Sequence, residues 1–241
     1  MRGKILLYGG FFAALIIAFW FFVFKDEDLS KSPLAVINAD VQDFSFTNQD
    51  GKTITGKDVD GKVYVAEFFF TTCKGICPKM NANMRRVFDA YREEQGFMIL
   101  SHTCMPETDS VPLLKAYEEK MINGKLVKNE DGSYKIEPGT PGSAITNPNW
   151  NFVTGDKTAL YKMARQGYMI DNNKPDSMQN IADQFIHTQF FALVDKQRRV
   201  RGIYDGLKGD EIEKLLEDIK GLLKEKIDHP RFMNGFSNNP S

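Results

Sequence analysis

A chain of 241 residues with 42% apolar side chains can bury one sizeable core, so one domain with appendages is expected rather than several domains. Its 31 lysines and arginines nearly balance 32 aspartates and glutamates, which leaves no basic surplus for a nucleic-acid partner. Three cysteines are too few for a small disulfide-stapled scaffold, so Cys73 and Cys77 read as working thiols.

Residues 5–24, ILLYGGFFAALIIAFWFFVF, carry no charge. At about 1.5 Å per helical residue this stretch spans a hydrocarbon core of roughly 30 Å, which predicts a transmembrane helix within residues 1–24. It stays bulky and aromatic up to Lys25, without a small-residue cleavage site, so the anchor is expected to remain attached. Arg2 and Lys4 before it and KDED after it predict a cytoplasmic N-terminus, with everything from Lys25 onward expected to face the periplasm or its equivalent. The four residues ahead of the apolar run leave no room for a mitochondrial import signal, which favours a single pass through a bacterial inner membrane. No cysteine precedes Cys73, which sets aside a lipid-modified N-terminus.

Residues 25–43 are polar and read as a tether. The main domain is expected over residues 44–230, with a polar tail at 231–241. FSFTNQDGKTITG alternates around Asp50-Gly51 and predicts a hairpin. VYVAEFFF, residues 63–70, predicts a strand covered on both faces. Met80, Met84, Val87, Phe88 and Tyr91 then recur at helical spacing. GFMILSHT is the next strand and VPLLKAYEEKM the next helix. Residues 122–148, rich in Gly, Pro, Asn and Lys, read as a surface insertion with a small hairpin at Asp131-Gly132. WNFVTG predicts a strand, residues 158–169 a helix and NNKPDSMQN a loop; FFALV and VRGIY are strands joined by a polar turn. A last helix carries Ile212, Leu215, Leu216, Ile219, Leu222, Leu223 and Ile227 on one face, with Asp210 and Glu213 spaced as a capping pair. Strands alternating with helices and closed by an antiparallel pair predict a mixed sheet with helices on both faces.

Cys73 and Cys77 are four positions apart, a spacing that aims both sulfurs at one point on a helix. A strand-to-helix turn puts them near a positive helix end, where thiolates are favoured, and the first turn tolerates Pro78. Of the three histidines, His187 stands where a loop enters a strand and can project from the sheet edge as a candidate third ligand, although a histidine in that place is more often a plain structural residue. Two thiolates and an imidazole select soft or borderline ions; Cu(I) accepts three ligands, whereas zinc seeks a fourth. Cys104 is expected as a small buried residue and His102 as a polar group at a strand end. His229 is expected to be solvated, and Met80 and Met84 to pack in the core rather than bind copper. Glu107 and Asp109 are read as a solvated loop on the sheet edge that holds the cysteines.

FSFTNQDGKTITGKDVDGKVYVAEFFFTTCKGICPKM, then PETD, then WNFVTGDKTALYKMARQGY, then HTQFFALVDKQRRVRGIYDG together resemble the Sco (SenC) family of membrane-anchored, thioredoxin-like copper proteins. The resemblance implies a thioredoxin-like mixed sheet and a copper site at Cys73, Cys77 and His187. It also implies assistance in building the Cu-A centre of cytochrome c oxidase. The partners implied are the copper-bearing oxidase subunit, a thiol reductant and a copper donor. Two positions depart from the family: Met105 and Ile186 stand where acidic residues are common. The alternatives are a membrane-tethered thiol-disulfide oxidoreductase, whose catalytic pair would be Cys73 and Cys77, and a redox or copper sensor.

Overall fold

The computed structural model describes residues 2–24, 34–139, 145–171 and 188–226, with side chains of the first helix described over residues 8–19. That helix, α1 (Arg2–Phe24), presents large apolar side chains such as Phe11, Phe12, Ile16 and Phe19 to its surroundings. Among the described residues, no helix is long and apolar enough to cross a membrane.

The predicted hairpin forms β1 (Ser45–Asn48) and β2 (Thr53–Thr55), paired antiparallel from Ser45↔Thr55 to Thr47↔Thr53. Gly51 sits at φ 73°, a conformation that its lack of a Cβ permits. One turn of helix, α2 (Gly56–Val59), then follows, opened by a capping box between Thr55 and Asp58. Strand β3 (Val63–Phe69) is buried at every position and pairs in parallel with β4 (Phe97–Thr103). Between them lies α3 (Cys77–Tyr91), and after β4 comes α4 (Val111–Asn123).

The insertion folds as a separate two-stranded sheet, β5 (Lys125–Lys128) and β6 (Tyr134–Glu137), with Gly132 at φ 82° in its turn. It is not wholly a surface feature, because Ile136 and Ile145 pack against the core. Strand β7 (Trp150–Thr154) is followed by α5 (Lys157–Lys162) and a π-helical turn (Met163–Gly167) where a continuous helix was expected. Strands β8 (Phe190–Val194) and β9 (Val200–Asp205) lead into α6 (Gly209–Lys224). The expected capping pair is corrected: Lys208 holds the cap position without a side-chain bond, and Glu213 instead faces Arg86 of α3. The loop at residues 172–180 and Ile227 lie outside the described residues.

The main sheet runs β2-β1-β7-β4-β3-β8-β9, parallel in its centre and antiparallel at both flanks. Helices cover both faces, as the alternation required. On one face α3, α4 and α6 deliver Met84, Phe88, Leu114 and Leu215 onto Val65, Ile99 and Phe152. On the other, α5 and the π-helical turn place Leu160, Tyr161 and Met163 beside Tyr64, Phe68 and Leu100. The stretch read as a tether is docked in its later part. Asn38 bridges Val200, the Leu34 carbonyl accepts from Arg201 at 2.8 Å, and Val41 is fully buried. The cause is its own apolar residues, which cover the end of the sheet.

Two ionisable groups sit inside this core on opposite sheet faces. The Glu67 carboxyl accepts from the Ser101 hydroxyl at 2.5 Å, and the Trp150 indole N–H in turn donates to Ser101 at 2.8 Å. Burial pushes the Glu67 pKa up to about 8, against the pull of Ser101. His102 is stacked on Phe68, with ring centroids 4.9 Å apart, and burial pushes it down to about 4. Glu67 holds its proton more tightly folded than unfolded, so its contribution is complete at low pH and is lost as pH rises toward 8. His102 behaves oppositely: its contribution is complete above the ordinary imidazole value of about 6.5 and is lost as pH falls toward 4. Between about pH 6.5 and 8 only Glu67 of the two acts. Glu67→Gln is therefore expected to remove most of the fall in Tm over that window, as measured by thermal unfolding at stepped pH.

Candidate functional site

Strand β3 ends at Phe69, and the chain turns at once: the Cys73 amide donates to the Phe70 carbonyl at 3.2 Å. Cys73 therefore lies in the turn, and helix α3 begins only at Cys77, with Pro78 in its first turn where no N–H is needed. This corrects the picture of two cysteines one helical turn apart. The turn, rather than a helix face, brings them together, and the Cys77 thiol is within hydrogen-bond reach of Cys73.

The two thiols differ in exposure. Cys73 is half-buried and Cys77 is 4% exposed; both, with Cys104, are free. Burial, followed by the hydrogen bond to Cys73, pushes the Cys77 thiol well above the ordinary thiol range. Cys77 thus rests protonated, and a metal binding there has to displace that proton. Its carbonyl accepts from Asn81 at 3.0 Å, and the same Asn81 amide donates to Tyr117 at 3.1 Å, which ties the helix start to α4.

Asp109 is the residue that the sequence reading placed wrongly. It is fully buried rather than solvated. Its carboxylate accepts from the Thr71 amide at 3.2 Å, the Thr71 hydroxyl at 2.5 Å and the Thr103 hydroxyl at 2.5 Å. It thereby joins the ends of β3 and β4 immediately before the thiol turn. Threonines flanking the two strand ends are the sequence signal that fits this role. Glu107 stays exposed and pairs with Lys157 at 2.8 Å.

Cys104 is buried as expected, with its thiol donating to the Phe69 carbonyl at 3.1 Å. Burial pushes it up to about 12. Its side chain packs with the face of the sheet opposite that of Cys77, and His102 is enclosed by Phe46, Phe68 and Tyr168 on that opposite face. Met80 and Met84 are fully buried core residues. Among the described residues, no three His, Cys, Asp or Glu side chains are grouped to hold a metal. His187, Ile186 and His229 lie outside the described residues.

A model of the family SCO1/SenC matches residues 37–127 and 142–224, well over half of the chain. The chain belongs to the SCO1/SenC family. The match passes over residues 128–141, which hold the tip and second strand of the β5–β6 hairpin. A SCO1 protein homolog of Bacillus subtilis is 29% identical over 192 residues, covering 79% of this chain and 84% of the relative. A SCO1/SenC family lipoprotein from Bacillus anthracis is 30% identical with a TM-score of 0.59, over 78% of this chain and 97% of that one. BsSco, described with a disulfide switch and as a member of the Sco family of cytochrome c oxidase assembly proteins, is 26% identical with a TM-score of 0.58, over 80% and 98%. The fold recurs at 19% identity and TM-score 0.53 in Bradyrhizobium japonicum ScoI, solved with copper bound, over 76% of this chain and 99% of that one. The fold is the mixed α/β one that the alternation of strands and helices implied, and the thioredoxin-like one that the resemblance implied.

Asp109→Ala would leave three donors at the strand ends without their acceptor. The expected loss is about 3 kcal/mol of stability, read from denaturant unfolding. Glu107→Ala, at an exposed pair, is expected to change stability by less than about 1 kcal/mol in the same assay.

Proposed function

We propose that this chain is a copper metallochaperone: Cys73, Cys77 and His187 bind Cu(I) or Cu(II), and the protein assists assembly of the Cu-A centre in the copper-bearing subunit of cytochrome c oxidase. The observation that carries this reading is the thiol pair itself, one sulfur half-buried and one buried, held within reach of each other on a rigid strand end. A soft metal fits that donor pair, and an imidazole completes a set suited to three-coordinate Cu(I). Strand β8 runs antiparallel to β3, with Ala66↔Ala192 and Tyr64↔Val194 in register, so β8 starts at the sheet end where β3 stops. That topology supports His187, three residues before β8, as the third ligand. The half-buried Cys73 offers an open side for a second protein's ligands to replace its own one at a time. Copper is cargo in this scheme, taken from a donor and handed on.

A second activity is supported by the closeness of the two thiols and by the disulfide switch described for BsSco. In it the pair acts as a thiol-disulfide oxidoreductase on target cysteines. Copper loads only onto the reduced pair, so a thiol reductant serves both activities. We take residues 5–24 as a single-pass anchor in a bacterial inner membrane, with the N-terminus cytoplasmic and the domain periplasmic. The apolar side chains displayed by α1 and the positions of Arg2 and Lys4 support this reading.

The deciding experiment is an anaerobic Cu(I) titration of the reduced full chain in detergent against a competing chelator. One copper per chain is expected, abolished by Cys73→Ser or Cys77→Ser and weakened at least about tenfold by His187→Ala, with disulfide exchange largely retained in the histidine variant. A wild-type chain that surrenders its copper to the chelator, or a His187→Ala variant that loses both activities equally, contradicts this division of roles.

A further inference from the structure

The hairpin β5–β6 does not stand free of the domain. Arg85 of α3 donates to the carbonyls of Met121, Ile122 and Gly124, which fixes the end of α4 and the first residue of the hairpin crossing. The neighbouring Arg86 lies over the Tyr134 ring, 4.5 Å from its centroid. A Cβ on Gly124 would run into the Ile136 side chain, so glycine allows the two segments to cross in contact. The helix that begins with Cys77 therefore also carries the hairpin.

Between hairpin and helix lies a concave groove of about 310 Å³, at the lower end of the range of small-molecule sites. Cys73 forms part of its wall. So do four lysines, Lys74, Lys79, Lys120 and Lys135, while no acidic side chain lines it. Lys135 pairs with Glu137 at 2.7 Å, and Lys79 lies near Asp131 in the hairpin turn. Lys74 and Lys120 have no carboxylate partner among the described residues. Four ammonium groups against two nearby carboxylates leave a local positive surplus on a chain whose net charge is only −1. Such a surplus in a concavity concentrates anions.

We propose that this groove is a docking site for an anionic low-molecular-weight thiol and its disulfide, which it presents to Cys73. The proposal rests on the reading of Cys73 and Cys77 as a working thiol pair and names the class of reductant that serves it. In the oxidising direction the Cys73 thiolate attacks one sulfur of the ligand disulfide. The ligand S–S bond breaks, one ligand thiolate leaves and takes up a proton, and a mixed disulfide remains on Cys73. Cys77, losing its proton, then attacks the Cys73 sulfur and expels the second ligand thiol. The protein has lost two electrons and two protons, and the ligand disulfide has become two thiols. Run in reverse, two molecules of the anionic thiol reduce the protein disulfide and become one ligand disulfide, leaving the pair ready for copper.

The test uses the reduced full chain in detergent and three symmetric disulfides: dithiodipropionate, an anion; bis(2-hydroxyethyl) disulfide, neutral; and cystamine, a cation. Each rate of Cys73 oxidation is divided by the rate of the same disulfide with dithiothreitol, which removes differences in intrinsic reactivity. The anion is expected to react at least about tenfold faster than the cation on this scale, with the gap closing as salt is added. Replacing all four lysines by glutamine, or only the unpaired ones as Lys74→Gln with Lys120→Gln, is expected to bring the three rates together. Equal rates in the wild type, or an ordering that survives the lysine changes, overturns the proposal. Parallel reduced samples of the same variants, not exposed to any disulfide, are titrated with Cu(I). Failure to hold copper with the charge ordering intact would count against the metallochaperone reading and leave the groove standing.

Discussion

Seven consecutive parallel pairs join β3 to β4, from Val63↔Phe97 to Phe69↔Thr103, and both strands are buried throughout. The site is the place where that ladder stops. Beyond it the last carbonyls of β3 need partners, and they find them locally: Phe69 accepts the amide and the thiol of Cys104, and Phe70 accepts the amide of Cys73. Two of the three cysteines are thus set in place by the unmet hydrogen-bonding demand of one strand end. Asp109 completes the closure by binding donors from both strands. A buried carboxylate with this many donors is expensive to disturb, so the turn that bears Cys73 inherits the rigidity of the sheet.

Rigidity on one side is matched by asymmetry between the thiols. Cys77 belongs to the core as much as Val65 or Phe88 does, whereas Cys73 stands at the boundary with solvent. A metal held by the two, as proposed, would meet one ligand enclosed by the core and one that partners can reach. The buried tyrosine Tyr117 and its link through Asn81 keep the inner half dry and positioned.

Much of this was legible in the sequence where periodicity and local chemistry agree. The apolar run of β3, the stripe of α3 and the two hairpin turns at Gly51 and Gly132 all appear where expected, because each depends on residues close in the chain. The motif cysteines and the fold class were legible for the same reason. Three features escaped. Asp109 reads as one more polar loop residue until β3 and β4 are set side by side, since its partners are Thr103 of β4 and Thr71 just past the end of β3. Glu67 interrupts a strand pattern that predicts only apolar neighbours; its acceptability depends on Ser101 and Trp150, far away in sequence. The docking of residues 34–43 combines the segment's own apolar residues with Arg198 and Arg201, more than 150 positions later, and those distant partners cannot be read from the segment itself.

That docked segment also fixes a polarity. Asn38 meets Val200 at the start of β9, and β9 starts at the end of the sheet opposite to the one where β3 releases Cys73. The chain thus enters the domain at one pole and displays its reactive sulfur at the other. Nine residues, 25–33, lie between α1 and Leu34, and the ten peptide links from Phe24 to Leu34 reach at most about 35 Å. If residues 5–24 anchor the chain as proposed, that reach bounds how far the entry pole can stand from the bilayer.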